Sequence, residues 1–242
     1  MKSLKELFIA YVIQEAQAVV GAGRPLRVLD VGCGTASYVP GLLAQFPHLH
    51  YVGIEPIAQS FAAAEKTLQA VPQATVHFGL AYDALADYEP ASFDLVLSLS
   101  VLEHVKRLPE FVAFCDRYLV AGGLMVHRYD LGHALAPHSW KEWLHVQLGN
   151  RVPRVLPETR FVRYVPESEV RLIYTQQGIT PYQTTYHQMP NHKAIEKYLP
   201  ADSTAVAELF AWEMSHQAEF AALATDTKER LFPAIAVWGR KS

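Results

Sequence analysis

Val28-Leu-Asp-Val-Gly-Cys-Gly-Thr35 is the stretch that decides the fold. An apolar run closing in Gly-x-Gly reads as a buried strand that turns sharply. Glycine at 32 and 34 lets the backbone approach a ligand that a Cβ would push away. The start of the following helix offers unpaired N–H groups at the same place. Gly-x-Gly also opens the dinucleotide fingerprint, but the position of its third glycine is Ser37.

Outward from this turn, short apolar runs alternate with helical periods, the pattern of a parallel sheet with crossover helices. Strands are predicted over 27–31, 50–54, 75–78, 94–99 and 124–130, and helices over 38–45, 57–70 and 108–119, the last closed by Gly122-Gly123. An amphipathic helix is expected to precede them, with Leu4, Leu7, Phe8, Tyr11, Val12, Ala16 and Val19 on one face. A helix over 167–177 stopped by Gly178, and strands over 179–187 and 234–239, follow the core. The fold class is α/β, a doubly wound sheet. It divides into an N-terminal helix (1–23), a cofactor core (24–131), an insertion suited to a substrate cap (132–165) and a C-terminal part of the core (166–242). That last part carries a second insertion around 191–232, with a helix over 206–223. Ligands of open α/β sheets lie beyond the carboxyl ends of the strands, where such insertions could cover them. A dimer contact or plain packing is the alternative role for the second one.

The chain has 242 residues, 50% of them hydrophobic and 19% charged, a globular composition that excludes disorder as its main theme. A formal charge of -3 with no block of like charges gives no support for a nucleic-acid groove or a polybasic membrane anchor. No apolar run approaches the roughly 18–20 residues of a membrane span. Residues 7–13 behind Lys2 and Lys5 superficially resemble a signal peptide, but Glu6 and Glu15 flank them and a buried strand follows. Cys33 and Cys115 can form neither a disulfide framework nor a four-thiolate zinc site, so the expectation is a soluble, cytoplasmic protein.

Two acids sharpen the ligand. Asp30 precedes the first glycine, where a carboxylate repels a pyrophosphate but suits an ammonium group; the bland alternative is a strand-end residue that caps the turn. Glu55 ends the second strand, where a carboxylate can accept both hydrogen bonds of a ribose diol, as it would for NAD.

The chain resembles the class I S-adenosylmethionine-dependent methyltransferases, in particular the ubiquinone and menaquinone methylase group. The resemblance rests on four blocks in order: VLDVGCGT at 28–35, YVGIEP at 51–56, SFDLVLSLSVLEHV at 92–105 and LVAGGLM at 119–125. It implies a Rossmann-like, seven-stranded sheet with a reversed C-terminal hairpin and helical cap insertions. It also implies S-adenosyl-L-methionine as cofactor, with S-adenosyl-L-homocysteine as product. Gly32, Cys33 and Gly34 would lie against the methionine part, with Asp30 fixing the turn or the amino group. Glu55, followed by Pro56, would hold the ribose hydroxyls. The family's adenine-binding acid is replaced by Leu80, so Ala81 through its amide, with Tyr82 or Asp83, is expected to stand in. Ser98 and Leu99 are expected to line the cofactor pocket.

For the chemistry, Glu103-His104 follows strand four, near where a donor methyl would lie, and neutral imidazole is suited to accept a proton. His104 is the first candidate base, against the reading that it only shapes the pocket. Asp130 and His133, at the end of strand five, come next. Some relatives hold a divalent metal with Glu-x-x-Glu-His here, but the first acid is Ser100, so no metal is expected. Arg151, Arg154, Arg160 and Arg163 are candidates for an acidic substrate group, although dispersed arginines are usually solvated. Trp140, Trp143, Trp212 and Phe210 are candidates for an aromatic lid, and core packing explains each equally well. The expected partner is a small apolar or aromatic acceptor, methylated on oxygen. A non-catalytic cofactor-binding subunit and an NAD-dependent dehydrogenase are the alternatives.

Overall fold

The computed structural model describes residues 3–21, 23–83, 85, 88–131, 140, 143–144, 146–147, 161–188 and 204–242. Helix α1 (Leu4–Val20) starts the chain. It is followed by β1 (Leu26–Val31), α2 (Val39–Gln45), β2 (Leu49–Glu55), α3 (Ala58–Leu68), β3 (Ala74–Phe78) and β4 (Phe93–Leu99). A 3-10 turn (Leu102–His104), α4 (Leu108–Tyr118) and β5 (Leu119–Asp130) complete the parallel part. Beyond it come α5 (Glu167–Gln176), β6 (Ile179–His187), α6 (Ala205–Ser215), α7 (Gln217–Ala222), α8 (Thr225–Leu231) and β7 (Ala234–Lys241).

The seven strands run in the order β3-β2-β1-β4-β5-β7-β6, and β7 is antiparallel to both β5 and β6. Strand order therefore reverses between β1 and β4, which opens a crevice beyond their carboxyl ends. Alternation along each strand feeds two cores. Leu29, Val31 and Val96 face one layer with Phe111 and Val112 of α4, while Val28, Leu95 and Leu97 face the other with Phe8 and Val12 of α1.

Three expectations need correction. Gly122 and Gly123 do not end α4; the helix stops at Tyr118 and both glycines lie inside β5, because Leu119, fully buried, already pairs with Phe93. The buried face of α1 is rotated from the expected one. Ile9 and Ile13 are buried, whereas Val19 is 41% exposed, since the helix packs on the sheet beside β5 and under α6. The single helix over 206–223 is two, α6 and α7, broken at His216, and α8 was not anticipated at all.

Candidate active site

The turn after β1 is tied to its neighbour strand: the N–H groups of Gly32 and Cys33 both donate to the Ile54 carbonyl, at 2.8 and 3.0 Å. Gly32 has φ +85°, and a Cβ there would come within 2.4 Å of Val101 Cγ2, so packing as well as conformation demands glycine. Gly34 has φ +62°, and a Cβ on it would meet nothing within 4 Å. Its α-carbon faces open space, the cradle a ligand needs.

That space is a cleft of about 390 Å³. Glu55, 4% exposed, forms part of its wall, with Oε2 accepting the Gly34 N–H at 2.8 Å and Oε1 the Ile57 N–H at 2.9 Å. A carboxylate has roughly four lone-pair sites, so both oxygens keep acceptor capacity for a diol while the amides fix their direction. Pro56, Leu80, Ala81 and Tyr82 continue the wall, and the Arg107 guanidinium lies 4.2 Å from the Tyr82 ring centroid, holding it in place. Asp83 is exposed and does not line the cleft. Leu99 closes the floor at the β4 end.

Other expected cofactor contacts lie outside this wall. Asp30 is 1% exposed and is held from below by the hydroxyls of Tyr38 and Tyr51, the latter at 2.8 Å. Burial raises its pKa, an effect the two phenols oppose. Both hydroxyls bond Oδ2, while Oδ1 is buried without a hydrogen-bond partner. Cys33 turns its thiol toward Gly53, where any Cβ would sit 2.7 Å from Sγ, and burial pushes that thiol up, out of the nucleophile range. Ser98 shares a 2.8 Å hydrogen bond with His127 Nδ1 inside the core, and burial pushes that imidazole down to about 3. Lys5, Ser60 and Phe111 line the cleft without having been singled out in the sequence. Only the nearness of α1 to the sheet, which no local motif encodes, brings Lys5 there.

The other end of the cleft is made by Ser100, Val101 and His104. His104 Nδ1 donates to the Phe161 carbonyl at 2.8 Å, which fixes the tautomer and makes Nε2 the basic nitrogen. Glu103 points away from the cleft; it is buried, Oε1 accepts the Asp130 N–H at 3.4 Å, and burial raises its carboxyl to about 8. Asp130 is not among the cleft-lining residues. His133, Arg151, Arg154 and Arg160 lie outside the described residues, and Arg163 is engaged with Glu169 through two bonds at 2.8 and 3.0 Å. Trp140 and Trp143 are exposed, Trp212 packs on His216 and Phe220, and Phe210 on Tyr11; none of the four lines the cleft.

A glycine turn at the switch point, a buried acid oriented by two backbone amides and a reversed last strand define a doubly wound fold with a cleft beyond its strand ends. Residues 29–125 match the family described as "Methyltransferase domain". The ubiquinone biosynthesis O-methyltransferase of Bradyrhizobium sp. (strain ORS 278) is 36% identical over 107 residues, 42% of this chain and 38% of that protein. The one from Maricaulis maris (strain MCS10) is 28% identical over 197 residues, 76% of this chain and 71% of that protein. The match thus spans well under half the length of the first relative. Among solved structures, a putative sarcosine dimethylglycine methyltransferase from Galdieria sulphuraria has the same fold, with a TM-score of 0.65 at 14% identity, covering 98% of this chain and 85% of that one. The fold is the one these S-adenosylmethionine-dependent methyltransferases share, and residues 29–125 are similar to the methyltransferase domain family. The open face at Gly34 and the oriented Glu55 fit that cofactor. No helix among the described residues is long and apolar enough to cross a membrane.

Proposed function

We propose that the chain methylates an oxygen of a small apolar or aromatic acceptor, with His104 as the general base. The observation that carries this reading is the His104 tautomer: Nδ1 is committed to the Phe161 carbonyl, so the basic Nε2 belongs to a side chain in the wall of the cleft. The names of the relatives, O-methyltransferases of ubiquinone biosynthesis, support oxygen as the methylated atom. Glu55 would bind the ribose hydroxyls, Gly32 and Gly34 would let the backbone approach the methionine part, and Lys5 supplies a cation for its carboxylate. Leu80, Ala81 and Tyr82 would enclose the adenine with apolar surface and backbone amides in place of an acid.

S-adenosylmethionine supplies an electrophilic sulfonium methyl, and the protein's task is alignment and exclusion of water. Nε2 of His104 takes the acceptor's hydroxyl proton as the oxygen gains its methyl, then releases that proton to solvent. A homodimer contact through the second insertion and a cytoplasmic location belong to the same reading. The test has two parts. S-adenosylhomocysteine should raise the melting temperature and NAD should not, because a ligand that binds only the native state stabilises it by mass action; equal stabilisation by NAD would turn the assignment to a dehydrogenase. Transfer of a labelled methyl group to members of a phenol and catechol panel then separates an enzyme from a cofactor-binding subunit, which would transfer to none.

A further inference from the structure

His104 lines the cleft, but the atom that orients it belongs to a segment that does not. Residues 161–165 run toward α5 and form a strap that bonds to both members of the Glu103-His104 dipeptide. His104 Nδ1 donates to the Phe161 carbonyl at 2.8 Å, and the Arg163 N–H donates to the Glu103 carbonyl at 2.9 Å. Both ends of the strap are anchored in the interior, Phe161 and Val165 each being 1% exposed.

Between those anchors the strap is tied to a helix. Arg163 Nη1 and Nη2 reach the two carboxylate oxygens of Glu169 at 3.0 and 2.8 Å. Parallel bonds between a guanidinium and a carboxylate fix direction as well as distance. Glu169 stands in the first turn of α5, a favourable place for an acid, and Val170 and Ile173 bury that helix in the core. A rigid element therefore holds the Arg163 backbone, and through it the Phe161 carbonyl two residues away, against the dipeptide. The tautomer of His104 depends on that carbonyl. A carbonyl can only accept, so Nδ1 carries the proton for as long as Phe161 stays in place. An imidazole released from such a partner favours the proton on Nε2, the nitrogen that the proposed chemistry needs as a base.

We infer that Arg163 and Glu169 are positioning residues: their ion pair fixes the strap that keeps His104 in its Nδ1-protonated tautomer. Neither residue lines the cleft, and neither moves the proton. The inference rests on His104 being the base only for its effect on rate; the tautomer itself does not depend on that reading.

The test is NMR of the whole chain, with its histidines labelled on the ring nitrogens, saturated with S-adenosylhomocysteine at a pH where His104 is neutral. The His104 signals are identified by their loss in His104→Gln. The parent should carry the proton on Nδ1. In Glu169→Gln and Arg163→Met a second population with the proton on Nε2 should appear. Methyl transfer in both should slow about threefold to fivefold in kcat, the scale of one partly exposed ion pair, with KM and S-adenosylhomocysteine affinity unchanged. Arg163→Lys keeps the charge and should retain most of the parent tautomer. Glu169→Gln is isosteric and its site is partly exposed, so it removes the charge without opening a cavity. A parent-like tautomer in both Glu169→Gln and Arg163→Met overturns the inference, whatever their Tm, because the pair is then only structural. A parent with the proton on Nε2 overturns it too. A shifted tautomer at an unchanged rate upholds the positioning role and removes His104 as the base.

Discussion

The two ends of the cleft are built on different principles. At the cofactor end, Gly32, Gly34 and Glu55 come from one strand-turn-helix-strand unit, and the key acid is oriented by backbone amides at 2.8 and 2.9 Å. At the acceptor end, His104 is oriented by the carbonyl of Phe161, far along the chain, and Glu103 by the amide of Asp130. The first is a local device that any chain with the right turn can form. The second exists only when distant segments have docked.

The contrast can be broken by substitution. His104→Ala should lower kcat by roughly 10²–10⁴, the range for losing a positioned general base, while the Kd of S-adenosylhomocysteine stays unchanged in calorimetry. A kcat within about threefold of the parent excludes His104 on that scale and passes the role to His133 and then Asp130. Gly34→Val should remove cofactor binding while the fold persists, because the new side chain enters open space; the left-handed backbone adds strain of about 1–2 kcal/mol. Glu55→Ala should cost less, roughly 1.5–3 kcal/mol of cofactor affinity, the range for hydrogen bonds to a charged group. Parent-like binding in both variants would mean that the cofactor lies elsewhere.

A smaller effect sharpens the acceptor end. Burial raises Glu103 from its ordinary 4.5 to about 8, so between those values the unfolded chain has released a proton that the folded chain retains. Stability carried by the neutral carboxyl is therefore complete below about 4.5, falls as pH rises, by about 1.4 kcal/mol per unit at most, and levels off above about 8. Glu103→Gln cannot titrate, so the difference between parent and variant in denaturant unfolding should show this slope; a flat difference would mean that Glu103 is ionised in the fold. The smallest expected effect is none: with Ser100 in place of the first acid of the metal motif that the resemblance implies, the rate should survive EDTA. Loss of activity restored by magnesium would reverse that expectation.

The same contrast explains what the sequence disclosed. Strand alternation, Gly-x-Gly and the acid at Glu55 are short-range signals, and they placed the sheet, the switch point and a carboxylate in the cleft wall. The position of Asp30 gives no sign of the hydroxyls that bond its Oδ2, which come from Tyr38 and Tyr51, one on α2's cap and one on β2. Ser98 points inward to His127 because period-two alternation sends it to the core face, a parity that the apolar run of β4 hides. The glycine pair at 122–123 reads equally as helix stop or strand irregularity, and the pairing of Leu119 with Phe93 decides it.

One detail of the first helix reaches further than its size suggests. Ser3 and Glu6 exchange hydrogen bonds between their side chains and each other's backbone N–H, at 3.2 and 2.8 Å, locking the opening turn of α1. Lys5 sits inside that turn and faces the cleft. Fraying of the turn would swing the ammonium away, so if Lys5 meets the cofactor's carboxylate as proposed, a cap worth about 1 kcal/mol would act as a thermal fuse on that end: warming would loosen the grip there before it loosened the sheet.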